Sequence, residues 1–213
     1  TPLSYLVSPL GMVVIIIVFC LSWFFGIHGG SVVFTAIMPL YIAAYATNAE
    51  LAVAGKELVF NPIFLYGAVS ILGGSGNTLP LCVMGLKSKS KQISAVSKAA
   101  LVPGLFNINE PAIFGFPIMY NPILLIPFTL NSLVVMGFMY VAYKFGLMSL
   151  PQVLIMTTLP VGIQSLMSTL DWRNVVFCSF DVSGSIFDLS SVFSKFMKNS
   201  VIAKRSNLRK LRS

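Results

Sequence analysis

Charge is what this sequence has least of. Six acidic residues, fourteen lysines and arginines and a single histidine occur among 213 residues, so 9% of the chain is charged where a soluble domain carries about a quarter. So little charge cannot clothe a globule in water, and with 56% hydrophobic residues and a mean hydropathy of +0.88 the chain is read as a membrane protein. Cysteine is also sparse. Cys20, Cys82 and Cys178 stand singly in apolar surroundings without CxxC spacing, which argues against a disulfide framework and a cysteine metal site. Neither a metal nor a cofactor is expected, since the glycine-rich GGSGNT at 73–78 lacks the GK[ST] ending of a phosphate-binding loop. Nor does the net charge of +8 indicate nucleic acid, because most of the basic residues fall in two blocks without a nucleic-acid motif or basic-aromatic interleaving: KSKSKQISAVSK at 87–98 and the tail from Lys195 to Arg212. Basic loops beside apolar spans follow the positive-inside rule, which puts the 87–98 loop on the cytoplasmic side.

What the sequence does have is apolar runs broken by glycine and proline. The uncharged run PLGMVVIIIVFCLSWFFGI, Pro9 to Ile27, approaches the roughly 20 residues that span a hydrocarbon core and is the clearest transmembrane helix. It lacks a basic n-region and a small-residue cleavage site, and the chain opens on Thr rather than Met; a fragment of a longer protein is expected rather than a signal peptide. VFTAIMPLYIAAY at 33–45 is interrupted by Pro39, and ATNAELAVAGKE at 46–57 reads as a surface connection. LVFNPIFLYGAVSIL at 58–72 is too short to cross untilted and runs into Gly73, Gly74, Gly76 and Pro80. Two readings stay open there: a loop between spans, or a re-entrant hairpin whose second arm is LCVMGL and whose turn is buried in protein or lines a watery cavity.

Residues 99–143 hold Pro103, Pro111, Pro117, Pro122 and Pro127, too many for one continuous helix. They read as a second broken or re-entrant element around 101–118, followed by a spanning helix from about Ile123 to Tyr143. LMSLPQVLIMTTLPVGIQSLM at 147–167 is the last apolar segment, again interrupted by proline. The expected fold is an all-α polytopic membrane protein, with transmembrane helices and two re-entrant hairpin elements. Paired glycine- and proline-broken segments point to a substrate site at the bilayer midplane.

Between Lys98 and Lys144 the one charged residue is Glu110, in FNINEPAIFGFP. A carboxylate at membrane depth costs at least ~2.5 kcal/mol on insertion scales, so it faces a cavity or a partner unless an interfacial loop solvates it. His28 precedes Gly29 and Gly30, where the chain can bend; it either caps a helix end or lines a cavity. With Asn107 and Asn109 these groups suit a hydroxyl-rich solute such as a sugar, which needs a few placed polar partners and an otherwise apolar wall. Trp23, Phe24 and Phe25 are read as packed or lipid-facing and are left out of the site.

Five stretches, in order, carry a resemblance: WFFGIHGG (23–30), GGSGNTLPL (73–81), GLKSKSKQ (85–92), LVPGLFNINEPAIFGFPIMYNPILLIPF (101–128) and TTLPVGIQSLMSTLDWR (157–173). Over about 1–176 the chain resembles the C-terminal transport half of the lactose/cellobiose/chitobiose family of phosphotransferase-system permeases, the enzyme IIC components. The resemblance implies a multi-pass protein of the bacterial inner (cytoplasmic) membrane that binds and translocates a β-linked disaccharide. It implies a homodimer in the full-length protein, held mainly by an N-terminal half absent from this sequence. His28 and Glu110 are implied to hold sugar hydroxyls, with Asn109 and then Asn77 as weaker substrate contacts. Phosphorylation would come from a phosphocysteine on a separate IIB protein, itself supplied by IIA, so this chain is not its own phosphoryl donor. Glu110 is also a candidate base orienting the accepting hydroxyl.

Two other readings remain open: a proton-coupled sugar symporter in which Glu110 carries the proton, and a nonfunctional fragment of a permease. Beyond the resemblance, 177–213 is a divergent basic tail, read as frameshifted or truncated, or as an amphipathic surface helix.

Overall fold

The computed structural model describes residues 7–69, 72–116, 118–155, 159–160 and 162–177. The readings of the tail from Cys178 onward lie outside them. Among the described residues the fold is helical, with no strand. The elements are α1 (Pro9–Phe24), a π-helical turn (Gly30–Phe34) leading into α2 (Thr35–Val53), a 3-10 helix (Pro62–Val69), α3 (Leu79–Gly85), α4 (Lys91–Leu105), α5 (Glu110–Gly115), α6 (Pro122–Lys144) and α7 (Ile163–Thr169).

Local chemistry accounts for the main boundaries. Ser8 accepts the Gly11 N–H at 3.0 Å and Asn121 accepts the Ile123 N–H at 3.1 Å; a proline follows each cap, where its missing N–H costs nothing. α1 closes by two reversed bonds, Gly26 N–H to the Trp23 carbonyl and Ile27 N–H to the Ser22 carbonyl. It therefore stops at Phe24, short of the expected Ile27, and at 1.5 Å per residue its 16 residues reach about 24 Å.

Pro39 does not break α2. The helix runs on from Gly30 to Val53, 24 residues, and absorbs most of the expected surface connection. Asn48, in that stretch, is buried: its amide donates to the Pro151 carbonyl and accepts from the Val59 N–H, each at 3.0 Å. Lys91 opens α4, so the expected 87–98 loop shrinks to the few residues before it. The expected apolar segment at 147–167 is not a spanning helix either. Its first part is irregular and held by polar bonds, with the Gln152 and Val153 N–H groups both on the Ser168 carbonyl and Ser149 paired through its backbone to the Asn174 amide. Arg173 and Ser149 beside Asp171 hold that carboxyl well below the usual carboxylate range.

α1 and α6 are each apolar on two faces. On α6, Leu124, Phe128, Asn131, Val135, Met139 and Ala142 are buried, while Ile126, Leu130, Val134, Phe138 and Val141 point outward uncovered. α1 divides in the same way, Met12, Ile16, Phe19 and Trp23 inward and Leu10, Val14, Val18 and Phe25 outward. A helix greasy all round belongs in a bilayer or deep in a core. Gly30–Val53 and Pro122–Lys144 are long and apolar enough to cross a membrane. The 3-10 helix packs among α1, α2 and α6, while α4 packs on both α3 and α5. Two broken elements thus lie side by side: a short arm, glycine turn and short helix at 62–85, and the end of α4, the 106–109 turn and α5.

Candidate functional site

The site forms where the turn after α1 meets the turn before α5. At the first, Trp23 packs beneath the His28 ring, with centroids 4.5 Å apart. His28 Nδ1 accepts the Ser31 N–H at 3.0 Å. The tautomer follows: with Nδ1 accepting, Nε2 carries the hydrogen and donates it to Glu110 Oε1 at 3.3 Å. Gly29 makes room for this turn, since a Cβ there would lie 2.6 Å from the Phe19 carbonyl oxygen.

Glu110 is the first residue of α5, where a carboxylate is favoured by the unpaired N–H groups of a helix start. Its other oxygen, Oε2, is buried and has no hydrogen-bond partner. Tyr120, beyond the end of α5, ties the segment after that helix to the turn after α1. Its N–H bonds the Phe24 carbonyl and its hydroxyl donates to the Phe25 carbonyl, at 3.1 and 3.0 Å.

His28 and Glu110 open on a cavity of about 650 Å³. The structure thus brings together the two residues the sequence singles out most sharply. Asn109 also reaches the lining, but its amide donates to the Ser75 carbonyl at 2.6 Å. Asn77 stands elsewhere. It has no exposed surface, and its amide is used at both ends within its own hairpin, accepting from Leu72 N–H and donating to the Ala68 carbonyl, both at 2.9 Å. With no exposed surface and no place among the cavity-lining residues, it stands as a brace within its own hairpin.

Sequence reasoning missed the aromatic wall. Phe34, Tyr41 and Tyr45 line the cavity from α2; Phe34 stacks on Tyr66 at 5.6 Å and 20°, and the Tyr41 and Tyr45 hydroxyls are 3.1 Å apart. Their spacing, i, i+7 and i+11, is the signal the sequence carries: it puts three aromatic rings on one face of a helix. Gln164, Ser165 and Ser168 of α7 supply polar lining, with the Ser168 hydroxyl 3.5 Å from that of Tyr45.

Helices apolar on their outer faces, packed around a polar cavity with a carboxylate–histidine pair at a break in the helical structure, define a helical membrane protein. Its family follows from comparison with known proteins. The profile of the phosphotransferase system EIIC family matches residues 3–132, and the chain belongs to that family. Among curated proteins it is 42% identical over 155 residues to the lichenan permease IIC component of Bacillus subtilis, covering 71% of this chain and 34% of that one. It is 36% identical over 151 residues to the oligo-beta-mannoside-specific EIIC component of the same organism, covering 69% and 34%, and 39% identical over 132 residues to the lactose-specific EIICB component of Lacticaseibacillus casei, covering 60% and 22%. The crystal structure of the transporter ChbC, the IIC component from the N,N'-diacetylchitobiose-specific phosphotransferase system, superposes with a TM-score of 0.88 at 28% identity, covering 96% of this chain and 48% of that one. The chain spans about a third or less of the length of these curated relatives and about half of the solved one.

Proposed function

We propose that residues 1–176 form the sugar-handling domain of a phosphotransferase-system permease, which binds a β-linked disaccharide and passes it across the bacterial inner membrane for phosphorylation by a IIB phosphocysteine. The observation that carries this reading is the His28–Glu110 pair, with one carboxylate oxygen accepting from the imidazole and the other unpaired, at the rim of a cavity walled by aromatic rings. Sugar hydroxyls meet their partners at such charged acceptors, and ring faces meet aromatic walls. Relatives named for lichenan, oligo-beta-mannosides, lactose and N,N'-diacetylchitobiose support the β-linked class.

Within this reading the two broken elements, 62–85 and 101–118, are re-entrant hairpins. Both ends of each lie on one side of the membrane, and the tips meet at the sugar. Asn109 contacts the sugar through whatever capacity its bond to Ser75 leaves, and Asn77 serves the site indirectly. An N-terminal half outside this sequence holds the homodimer together, and IIA supplies IIB.

The test is uptake by the full-length permease in cells lacking their own β-diglucoside transport. Uptake of cellobiose that requires phosphoenolpyruvate and IIB is the expected result. Uptake that survives without phosphoenolpyruvate but collapses with the proton gradient would replace this reading with a symporter.

Lys87, Lys89, Lys91 and Lys98 place their end of the molecule in the cytoplasm under this reading. A Ser90→Cys variant should therefore resist membrane-impermeant thiol reagents in intact cells and react after the cells are opened. Labelling from outside would invert the topology.

A further inference from the structure

Glu110 begins a helix of six residues, too short to fix its own position, yet its carboxylate must be held against His28. The turn before it is organised by Asn107. α4 ends there with a reversed pair of bonds, Asn107 N–H to the Gly104 carbonyl and Ile108 N–H to the Pro103 carbonyl, both 3.0 Å, and Asn107 sits at φ +60°. Glycine is the usual occupant of this left-handed position, which a side chain enters at a cost. The Asn107 side chain gives a reason to accept that cost. Its Oδ1 takes the N–H of Gly73 at 2.9 Å and that of Gly74 at 3.3 Å, joining the turn before α5 to the tip of the glycine turn more than 30 residues earlier.

The contact is close on both sides. A Cβ on Gly74 would lie 2.7 Å from the Asn107 carbonyl oxygen and 2.8 Å from Asn109 Oδ1. Two further asparagine bonds hold the glycine turn, Asn109 from the turn before α5 to the Ser75 carbonyl and Asn131 from α6 to the Gly76 carbonyl.

We propose that Asn107 is a positioning residue: by clamping the turn that presents Glu110 to the tip of the glycine turn, it keeps the carboxylate in register with His28. The geometric part is independent of what the cavity binds, and only the effect on affinity rests on the sugar reading above. Three roles make different forecasts. If Asn107 merely ends α4, glycine replaces it without loss. If it touches the sugar directly, its removal weakens binding while the Glu110–His28 pair stays as it is. If it positions Glu110, the pair itself is disturbed.

The chain's single histidine makes the pair observable, because protein labelled with ¹⁵N-histidine gives one imidazole spectrum, that of His28. The measurement uses the full-length permease, with any other histidines replaced, in lipid bilayers. Glu110→Gln calibrates the signal of a His28 that has lost its carboxylate. Asn107→Gly is expected to move the Nε2 resonance most of the way to that position and to weaken cellobiose binding at least tenfold. Asn107→Asp keeps the acceptor and should leave the resonance nearer the wild-type position than glycine does.

Should Asn107→Gly fail to insert, Gly74→Ala attacks the same contact from the opposite turn and should move the resonance in the same direction. A wild-type His28 spectrum in whichever of these variants folds would overturn the proposal, whatever happens to affinity. Wild-type protein that binds no cellobiose would instead defeat the sugar reading and leave the spectroscopic result standing.

Discussion

Glu110→Gln is expected to reach the membrane at least as well as the wild type and to bind sugar ten- to a hundredfold more weakly. The two halves of this expectation come from the same change. Glutamine fills the same space, and removing a charge at membrane depth lowers an insertion cost of roughly 2.5 kcal/mol or more. What it cannot keep is two acceptor oxygens. In the wild type, Oε1 accepts from His28 Nε2–H, and Oε2 is the buried acceptor without a partner. An amide that still accepts from His28 keeps its one oxygen on that bond and turns its NH₂ into the buried position of Oε2, so a sugar hydroxyl reaching the pair from the cavity meets a neutral oxygen where the carboxylate offered a charged one. A hydrogen bond to a charged group contributes about 1.5–3 kcal/mol, which converts to a loss of one to two powers of ten in affinity. Isothermal titration with cellobiose beside a membrane-fraction immunoblot reads both halves. Unchanged affinity would remove Glu110 from the site. Parallel loss of protein would mean that the carboxylate serves folding instead.

The pair was legible in the sequence because lone ionisable groups stand out in an apolar chain, and the structure puts His28 and Glu110 82 residues apart in sequence but 3.3 Å apart in space. The long helix from Pro122 was legible for a related reason, an uncharged and mostly apolar run to Tyr143, although it too runs through a proline, Pro127. Sequence and structure part where local rules meet tertiary ones. Pro39 signals a break, but α2 runs through it; a helix packed on neighbours tolerates one missing N–H bond. The segment at 147–167 has the composition of a span, yet Asn48, Asn174 and Ser168 satisfy its backbone without a helix over its first part. Asn48 is 103 residues from Pro151 and Asn174 is 25 from Ser149, beyond the reach of helix and turn rules that compare near neighbours. Asn77, Asn107, Asn109 and Asn131 show the same limit. Asn77, Asn107 and Asn109 read in the sequence as polar groups available to a ligand, whereas the fold spends each of the four on a main-chain group of the glycine hairpin.

Gly76→Ala should unseat the hairpin tip, and Gly55→Ala is the control that shows why. Both glycines have positive φ, +72° and +65°. Each alanine therefore carries the left-handed backbone cost of roughly 1–2 kcal/mol. Only the surroundings differ. Nothing lies within 4 Å of a Cβ at Gly55, on the exposed link after α2, whereas at Gly76 the new carbon would overlap the buried Phe128 ring, 2.1 Å from Cε2. That ring belongs to the packed face of α6 and cannot swing aside without opening the core, so overpacking adds about 1–3 kcal/mol. Against a total of about 5–15 kcal/mol for a typical fold, the sum is a large share. Thermal midpoints in one detergent should fall in the order wild type, Gly55→Ala, Gly76→Ala, with the second interval larger than the first. Equal midpoints for the two variants would mean that the hairpin tip is not seated on Phe128. The functional consequence follows from position. Ser75 and Gly74 line the cavity one and two residues before Gly76, so a tip pushed off α6 should also lose sugar affinity, while Gly55→Ala, more than twenty residues from that tip, should bind as the wild type does.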